Sequence, residues 1–493
     1  MPEQIHLSGS FVAATGAHLL EIQRQPGPPI IEPCAQMERS SQEEWNQYAL
    51  RHEGLFRAAA DSYIFGYPLV LMDLTRRVMT NYSRVCPAGA PINQFLHANH
   101  FDDVFPSDLS QNNVDMICSS AWIDLSDEPV ILSLPEMGKR YHMLQMLDAW
   151  TNIFASTGTR NTGNAKTYFA ITGPNWRGSL PLGLRQIKSP TNLALLVGRI
   201  QIHDRADCSL VRKLQTHYKL APLSAWDKTY FPPDTLPIDR TLDMTTPATT
   251  QVARMDGTAF FLRLMDLMKR NPPPMPDKEI LSSLLALGVT SGDMAFFDHP
   301  DSANVIRAGV ERARAILESA ENSGVLTVNG WRFSTNTGRY GSDYLRRAAA
   351  SQSGISTSIL EDAVCFRTGI DADGHKLTGK CAYVLHFLPK KTPPVKAFWS
   401  LAVCGEAEPA QGNPASRLSI SGHGPLVLND DGSLDIYIQH EPPNGVPKTN
   451  WLPTPRNEFD LILRLYWPKS EVWDGRWVLP AVHLVSEKMA RAA

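Results

Sequence analysis

The chain has 493 residues, 43% of them apolar and 20% charged, with 47 Lys+Arg against 50 Asp+Glu and a formal net charge of −3. That balance excludes a strongly basic nucleic-acid binder, and no apolar run of about 18 residues is present to span a bilayer. The length predicts about three domain-sized units, or two large ones, with enough apolar material for a core that needs no disulfide or metal.

Residues 1–40 carry Pro26, Pro28, Pro29 and Pro33 and read as a flexible N-terminal arm, since X-Pro units favour extended backbone. The arm opens without a basic segment and with Glu3, which argues against a secretory signal. The seven scattered cysteines form no CxxC pair and read as reduced thiols, so a cytoplasmic location is expected. Residues 41–110 read as a helical segment: Ser41 is a candidate cap, and Ala49, Leu55, Ala59, Tyr63 and Tyr67 recur at helical spacing. Pro68 should kink or interrupt it.

Over 111–240 the period changes from near 3.6 to 2. Val130–Leu132, Tyr141–Asp148, Thr167–Ile171 and Leu193–His203 read as strands separated by turn residues such as Gly173-Pro174. Strands without intervening helices predict a sandwich or jelly roll. Residues 241–330 are helical again, with Thr258–Arg270 stopped by Asn271-Pro272, Asp277 capping a helix stopped by Gly288, and a clear amphipathic stretch over Ser302–Ala320. After a short helix near Ser342–Ala350, residues 331–493 are β-rich. Phe459, Leu461, Leu463, Leu465 and Trp467 form one alternating face, with Asp460, Ile462, Arg464 and Tyr466 on the other. The predicted fold is mixed and predominantly β: two jelly-roll-like antiparallel β-sandwich domains with helical segments before and between them.

Two sets of motifs resemble known families. Asn113-Val114-Asp115, Ser119-Ser120-Ala121-Trp122-Ile123-Asp124, Tyr141 with Asp148-Ala149-Trp150-Thr151-Asn152, Gly158-Thr159-Arg160 and Gly173-Pro174-Asn175-Trp176 resemble domain-of-unknown-function family 1254. Gly338-Arg339-Tyr340-Gly341-Ser342-Asp343, Asp371-x-Asp373-Gly374, Ala397-Phe398-Trp399-Ser400, Asn450-Trp451-Leu452-Pro453 and Arg464-Leu465-Tyr466-Trp467-Pro468 resemble its companion, family 1214. The resemblance implies two jelly-roll-like domains with helices between and a homo-oligomer. It supplies no reaction. The chain departs from the family's usual Pro-Asn-x-Asp-Thr-x-Tyr pattern at Asn112, Met116 and Cys118.

The leading candidate site is the polar set of the first β domain. Asp148 ends an apolar strand beside Trp150 and Asn152, a placement in which desolvation raises a carboxyl toward useful acid/base chemistry. Asp148 and Asp115 are the expected acid/base pair, with Arg160 stabilising an anion by bidentate hydrogen bonds. Asn113, Tyr141, Trp150, Asn152, Trp399 and Arg464 are the expected substrate-binding residues. The structural alternative is a buried network of Asp115, Asp148 and Arg160 that orders loops. His97-x-x-His100-x-Asp102-Asp103 has donor types suited to zinc or iron, but no third ligand at convincing spacing, so no metal is expected. Asp371-x-Asp373-Gly374 reads as a β-turn. The tryptophans Trp399, Trp451, Trp467, Trp473 and Trp477 would line a ligand pocket or fill a wide core. His386 reads as a core histidine, and neither Cys118 nor Cys365 has a recognisable catalytic partner.

No dinucleotide loop, Walker A loop, Gly-x-Ser-x-Gly elbow or HExxH motif is present. The expected function is therefore a cofactor-independent acid/base enzyme, a hydrolase, lyase, isomerase or cyclase, acting on a small, largely apolar metabolite. The alternative is a non-catalytic small-molecule-binding or assembly protein. Neither nucleic acid nor membrane is an expected partner.

Overall fold

The computed structural model describes residues 42–98, 113–204, 206–273, 276–290, 292, 295–320, 324–355, 357–404 and 419–485, with backbone only for 42–51. The 1–40 arm, His100, Asp102, Asp103 and Asn112 lie outside these residues.

The chain enters through helix α1 (Gln42–Thr80) and a first β half. Strands β1 (Leu96–His97), β2 (Met116–Asp124), β3 (Val130–Leu134), β4 (His142–Asp148), β5 (Ile153–Gly158), β6 (Thr167–Thr172), β7 (Arg185–Lys188) and β8 (Leu193–Gln201) precede α2 (Cys208–Gln215) and β9 (Lys219–Pro222). They form an antiparallel sheet in the order β1-β2-β8-β4-β5 and a second sheet, β7-β6-β3-β9, in which β6 and β7 are parallel. Ile123, Leu144, Met146 and Leu195 of the first sheet share one core with Leu132, Phe169, Ile171 and Leu220 of the second.

The helical middle follows: α3 (Ala248–Arg254), α4 (Gly257–Arg270), α5 (Lys278–Ala286), α6 (Ala295–Asp298) and α7 (Ser302–Ser319). Asp277 caps α5, its Oδ1 accepting from the Ile280 N–H at 2.9 Å, and Gly288 ends that segment at φ 68°. The second β half contains β10 (Leu326–Val328) and β11 (Trp331–Phe333), then α8 (Tyr344–Ser353) and β12 (Ala363–Thr368). It continues through β13 (Tyr383–Phe387), β14 (Trp399–Cys404), β15 (Ser419–Ser421), β16 (Leu434–Gln439), β17 (Trp451–Pro453), β18 (Asp460–Tyr466) and β19 (Val482–Leu484). Sheets β10-β11-β12-β18-β14-β15 and β17-β16-β13-β19 enclose a core of Phe366, Leu401, Leu463, Leu385, Ile436 and Leu452. The fold is mixed and predominantly β, with a two-sheet core in each half.

Helix α1 continues without interruption through Pro68, where the sequence predicts a kink or an interruption. The turns around the proline are buried from Ser62 to Leu74 and pack against α3, α4, α5, α7 and α8. That burial outweighs the loss of one backbone hydrogen bond. No helix among the described residues is long and apolar enough to cross a membrane.

Two strands of the first half are buried on both faces. Every residue of β4 and β8 is buried. One face of their sheet meets the sandwich core. On the other, Tyr141 and Met143 pack with Phe398 and Tyr466 of the second half. The two halves therefore meet along an aromatic seam, and Tyr466, at the end of the polar face of β18, turns inward to it.

Candidate functional site

Asp115 stands at the entrance to β2, where its carbonyl accepts from the Ile202 N–H at 2.9 Å. Its side chain crosses to the second half. There it accepts hydrogen bonds from the Ser400 hydroxyl on β14 and, at 3.1 Å, from the Ser419 hydroxyl on β15. Asn113 Oδ1 accepts from the Asp115 N–H at 3.1 Å, and the Asn113 carboxamide meets the Tyr466 hydroxyl at 3.0 Å. Tyr466 stacks on Phe398 with ring centroids 4.3 Å apart and lies 6.0 Å from Tyr141. Burial raises the Asp115 carboxyl above its usual range, opposed by the Arg464 charge and by the two serine hydroxyls. Burial and the Asp115 charge hold the Tyr466 phenol well above the usual tyrosine range, so it stays a neutral donor. The seam thus holds a carboxyl, two hydroxyls, a carboxamide and a phenol in an otherwise apolar setting.

A second buried carboxylate, Asp362, lies just before β12. Its Oδ1 accepts from Arg160 Nε at 2.5 Å, and its Oδ2 accepts from Gln145 Nε2 at 2.9 Å and Ser156 Oγ at 2.6 Å. The Tyr141 hydroxyl donates to the Asp362 carbonyl at 3.0 Å. Arg160 and Tyr141 are thus held by the same residue of the other half. Burial, together with the Asp362 charge, raises the Tyr141 phenol far above its ordinary value.

Asp148 belongs to neither network. It closes the tight turn between β4 and β5, where Thr151 takes φ 69°. One oxygen accepts from the backbone N–H groups of Trp150 and Asn152, both at 2.9 Å, and the other from Asn152 Nδ2 at 3.2 Å. Burial pushes its carboxyl up to about 6, against those donors and the Arg347 charge. Arg347 of α8 is itself buried, its guanidinium 5.3 Å from the rings of Phe65 and Trp150, and burial lowers it to about 10. Trp150 Nε1 donates to the Asn271 carbonyl at 3.1 Å. Asp148, Trp150 and Asn152 therefore tie the β4–β5 turn to α1, α8 and the end of α4. The single network of Asp115, Asp148 and Arg160 expected as the structural alternative is replaced by three separate ones.

The sequence brings Asn113, Asp115, Tyr141, Arg160 and Arg464 to the seam, but not Trp399. That ring lies in the second core, 5.9 Å from Phe387 and against Gly422, where an added Cβ would come within 2.3 Å of Trp399 Nε1. Trp451 and Trp477 are likewise buried, each donating its indole N–H to a backbone carbonyl at 2.9 Å. Asp362 and Ser419 carry no local pattern that marks them, whereas Ser400 belongs to the Ala397-Phe398-Trp399-Ser400 block and Tyr466 to the alternating polar face and the Arg464-Leu465-Tyr466-Trp467-Pro468 block, neither of which assigns them a role.

Other candidates take different places. His97 Nδ1 meets the Ser119 hydroxyl at 2.8 Å, and burial lowers the imidazole to about 4. His386 is not a core histidine: it is partly exposed on β13, its Nδ1 2.6 Å from Asp435 Oδ1. Its neighbours Leu385 and Phe387 occupy the core face, and the period of two turns His386 outward. Burial pushes the Cys118 thiol up, which makes it a poor nucleophile. The six described cysteines are free thiols. Asp371, Asp373 and His375 place one ligand atom each within 4.8 Å of one another. Asp371 Oδ1 accepts from the N–H groups of Asp373 and His375 at 3.0 and 2.9 Å, which makes the expected turn.

The VPA0106 protein from Vibrio parahaemolyticus is similar at 21% identity and a TM-score of 0.66, over 88% of this chain and 100% of that one, a likeness of fold. An uncharacterised protein from Burkholderia cenocepacia aligns at 10% identity with a TM-score of 0.39, over 92% of this chain and 99% of that one. No curated protein matches the chain. Residues 92–222 match a family described as protein of unknown function (DUF1254), and residues 362–470 one described as protein of unknown function (DUF1214). The seam runs between these two matched regions, one in each half of the chain.

Proposed function

We propose that the chain is a cofactor-independent acid/base enzyme acting on a small, largely apolar organic metabolite, with Asp115 as the proton-transfer group. One observation carries this reading: Asp115 is a buried carboxyl raised by desolvation, set among hydroxyl donors where two β halves meet. A raised carboxyl holds its proton closer to neutral pH and serves better as a general acid or base. Asp148 and Asp362 are each 1% exposed and bound by three or more donors; Asp115 keeps 6%. The neutral phenol of Tyr466 is placed to orient a carbonyl or hydroxyl, and Phe398 and Tyr141 suit an apolar body. Dehydration, isomerisation or hydrolysis by proton transfer fits such a set.

The competing reading is a small-molecule-binding protein without turnover. It draws on the fact that both Asp115 oxygens already carry protein donors. Metabolite profiles of a strain lacking the chain supply the test compound, which is then incubated with purified protein. Turnover that falls at least about a hundredfold in Asp115→Asn, with unchanged melting, supports the enzyme. Binding without conversion, or an Asp115→Asn protein as active as the parent, removes it.

A further inference from the structure

A cleft of about 400 Å³ lies away from the seam, between the C-terminal ends of α1 and α3, the side of α4 and residues 241–246. Three guanidinium groups from three helices line it: Arg77, Arg254 and Arg263. Arg263 is engaged by Asp73, which also accepts from Arg76 at 2.8 Å, and Arg77 lies 3.2 Å from Asp239. The Arg254 side chain is exposed and makes no hydrogen bond or ion pair among the described residues. With Arg76 behind the wall, four arginines stand against Asp73, Asp239 and Asp243, a net charge of one positive, and Arg254 is the arginine without a carboxylate partner among the described residues. Leu74, Leu242 and Met255 supply an apolar wall.

We propose that this cleft binds a small organic monocarboxylate with an apolar body. Arg254 offers its full fork of donors to a carboxylate. Arg77 can lend a second contact, because its pair with Asp239 is largely exposed and weakly held. The Asp243 side chain accepts from the Thr245 and Thr246 N–H groups at 2.9 and 3.0 Å, which keep it ionised, so it repels a second negative group. The ligand class is therefore one charge plus apolar surface, not a dianion. This site shares no residue with the proposed Asp115 site, and either can fail without the other.

Hexanoate titrated into the full chain tests it, with hexanamide and inorganic phosphate as the uncharged and non-apolar controls. Saturable hexanoate binding is expected, with both controls at least about tenfold weaker. Arg254→Gln should weaken hexanoate about tenfold while leaving the ligand-free melting temperature unchanged, since Arg254 supports no contact. Leu242→Ser, which trims the apolar wall, should also weaken it. No saturation at millimolar hexanoate, equal binding of phosphate or hexanamide, or parent-like affinity in both variants overturns the proposal.

Discussion

Arg160 and Asp362, 202 positions apart in sequence, meet at 2.5 Å across the boundary between the two β halves. The arginine side chain is 23% exposed and the carboxylate 2%, so the two partners are not equivalent. Arg160→Ala leaves a buried charge supported only by Gln145 and Ser156, at a cost of about 3 kcal/mol. Asp362→Asn removes that charge while keeping the shape, and Arg160 can turn to water. The double variant is expected to be more stable than Arg160→Ala alone, as read from urea midpoints at neutral pH. A double variant less stable than either single one would show that the charge is not what makes the arginine necessary.

Asp148 gives the fold a pH dependence of definite sign. Burial pushes its carboxyl up to about 6 in the folded chain, from the ordinary aspartate value of 3.8. Between these values the folded state holds a proton that the unfolded chain has released, so stability falls as pH rises through the window. The full loss is about 3 kcal/mol. Asp148→Asn cannot ionise, and its Oδ1 can still accept from Trp150 and Asn152. Its urea midpoint should therefore fall less than the parent's between pH 4 and pH 7 (~4 and ~7 bracket the window). Parallel curves for the two proteins would assign no ionisation cost to Asp148.

The same two residues mark what the sequence could and could not convey. Period and punctuation located most strands and helices, because each depends on neighbours within a turn or two: Asp277 capping α5 is one case, and the buried run Phe459, Leu461, Leu463, Leu465 another. Trp467 continues that alternation in sequence, but the chain leaves the strand there at φ 50°. Partners across the seam are a different matter. Asp362 is one acidic residue beside another in a loop, and its three donors come from β4, β5 and the following turn. Their convergence is a property of how the halves dock. Asp148 was singled out correctly as a buried carboxyl at a strand end, yet its donors are its own turn rather than Arg160. Central strands buried on both faces, such as β4, lose the alternation that would otherwise show which side chains point to a partner.

Tyr466→Phe isolates the phenol's contribution to the seam. The ring and its stacking on Phe398 remain, while the hydrogen bond to Asn113 is lost. Stability should drop by about 1 kcal/mol. If the seam is the proposed site, turnover of the identified metabolite should fall by about tenfold or more, well beyond what so small a stability change explains. Turnover that follows stability alone would confine Tyr466 to holding the halves together.

Helix packing offers a last case in which two effects of opposite sign can be weighed. Gly309 sits inside α7 where that helix crosses α1, and a Cβ built on it would lie 2.3 Å from Ala59 Cβ and 3.0 Å from the Phe56 carbonyl oxygen. Gly→Ala in a helix interior ordinarily gains about 1 kcal/mol. Here the added methyl meets another methyl and backbone, neither of which can rotate away, so the helices must separate. Overpacking of a buried contact costs about 1–3 kcal/mol. Because α1 carries α3, α4, α5 and α8 as well as α7, the displacement strains several contacts at once. Gly309→Ala is therefore expected to lower the melting temperature, and Gly309→Val to lower it further. A melting temperature raised by the alanine would mean that α7 can shift on α1 at almost no cost.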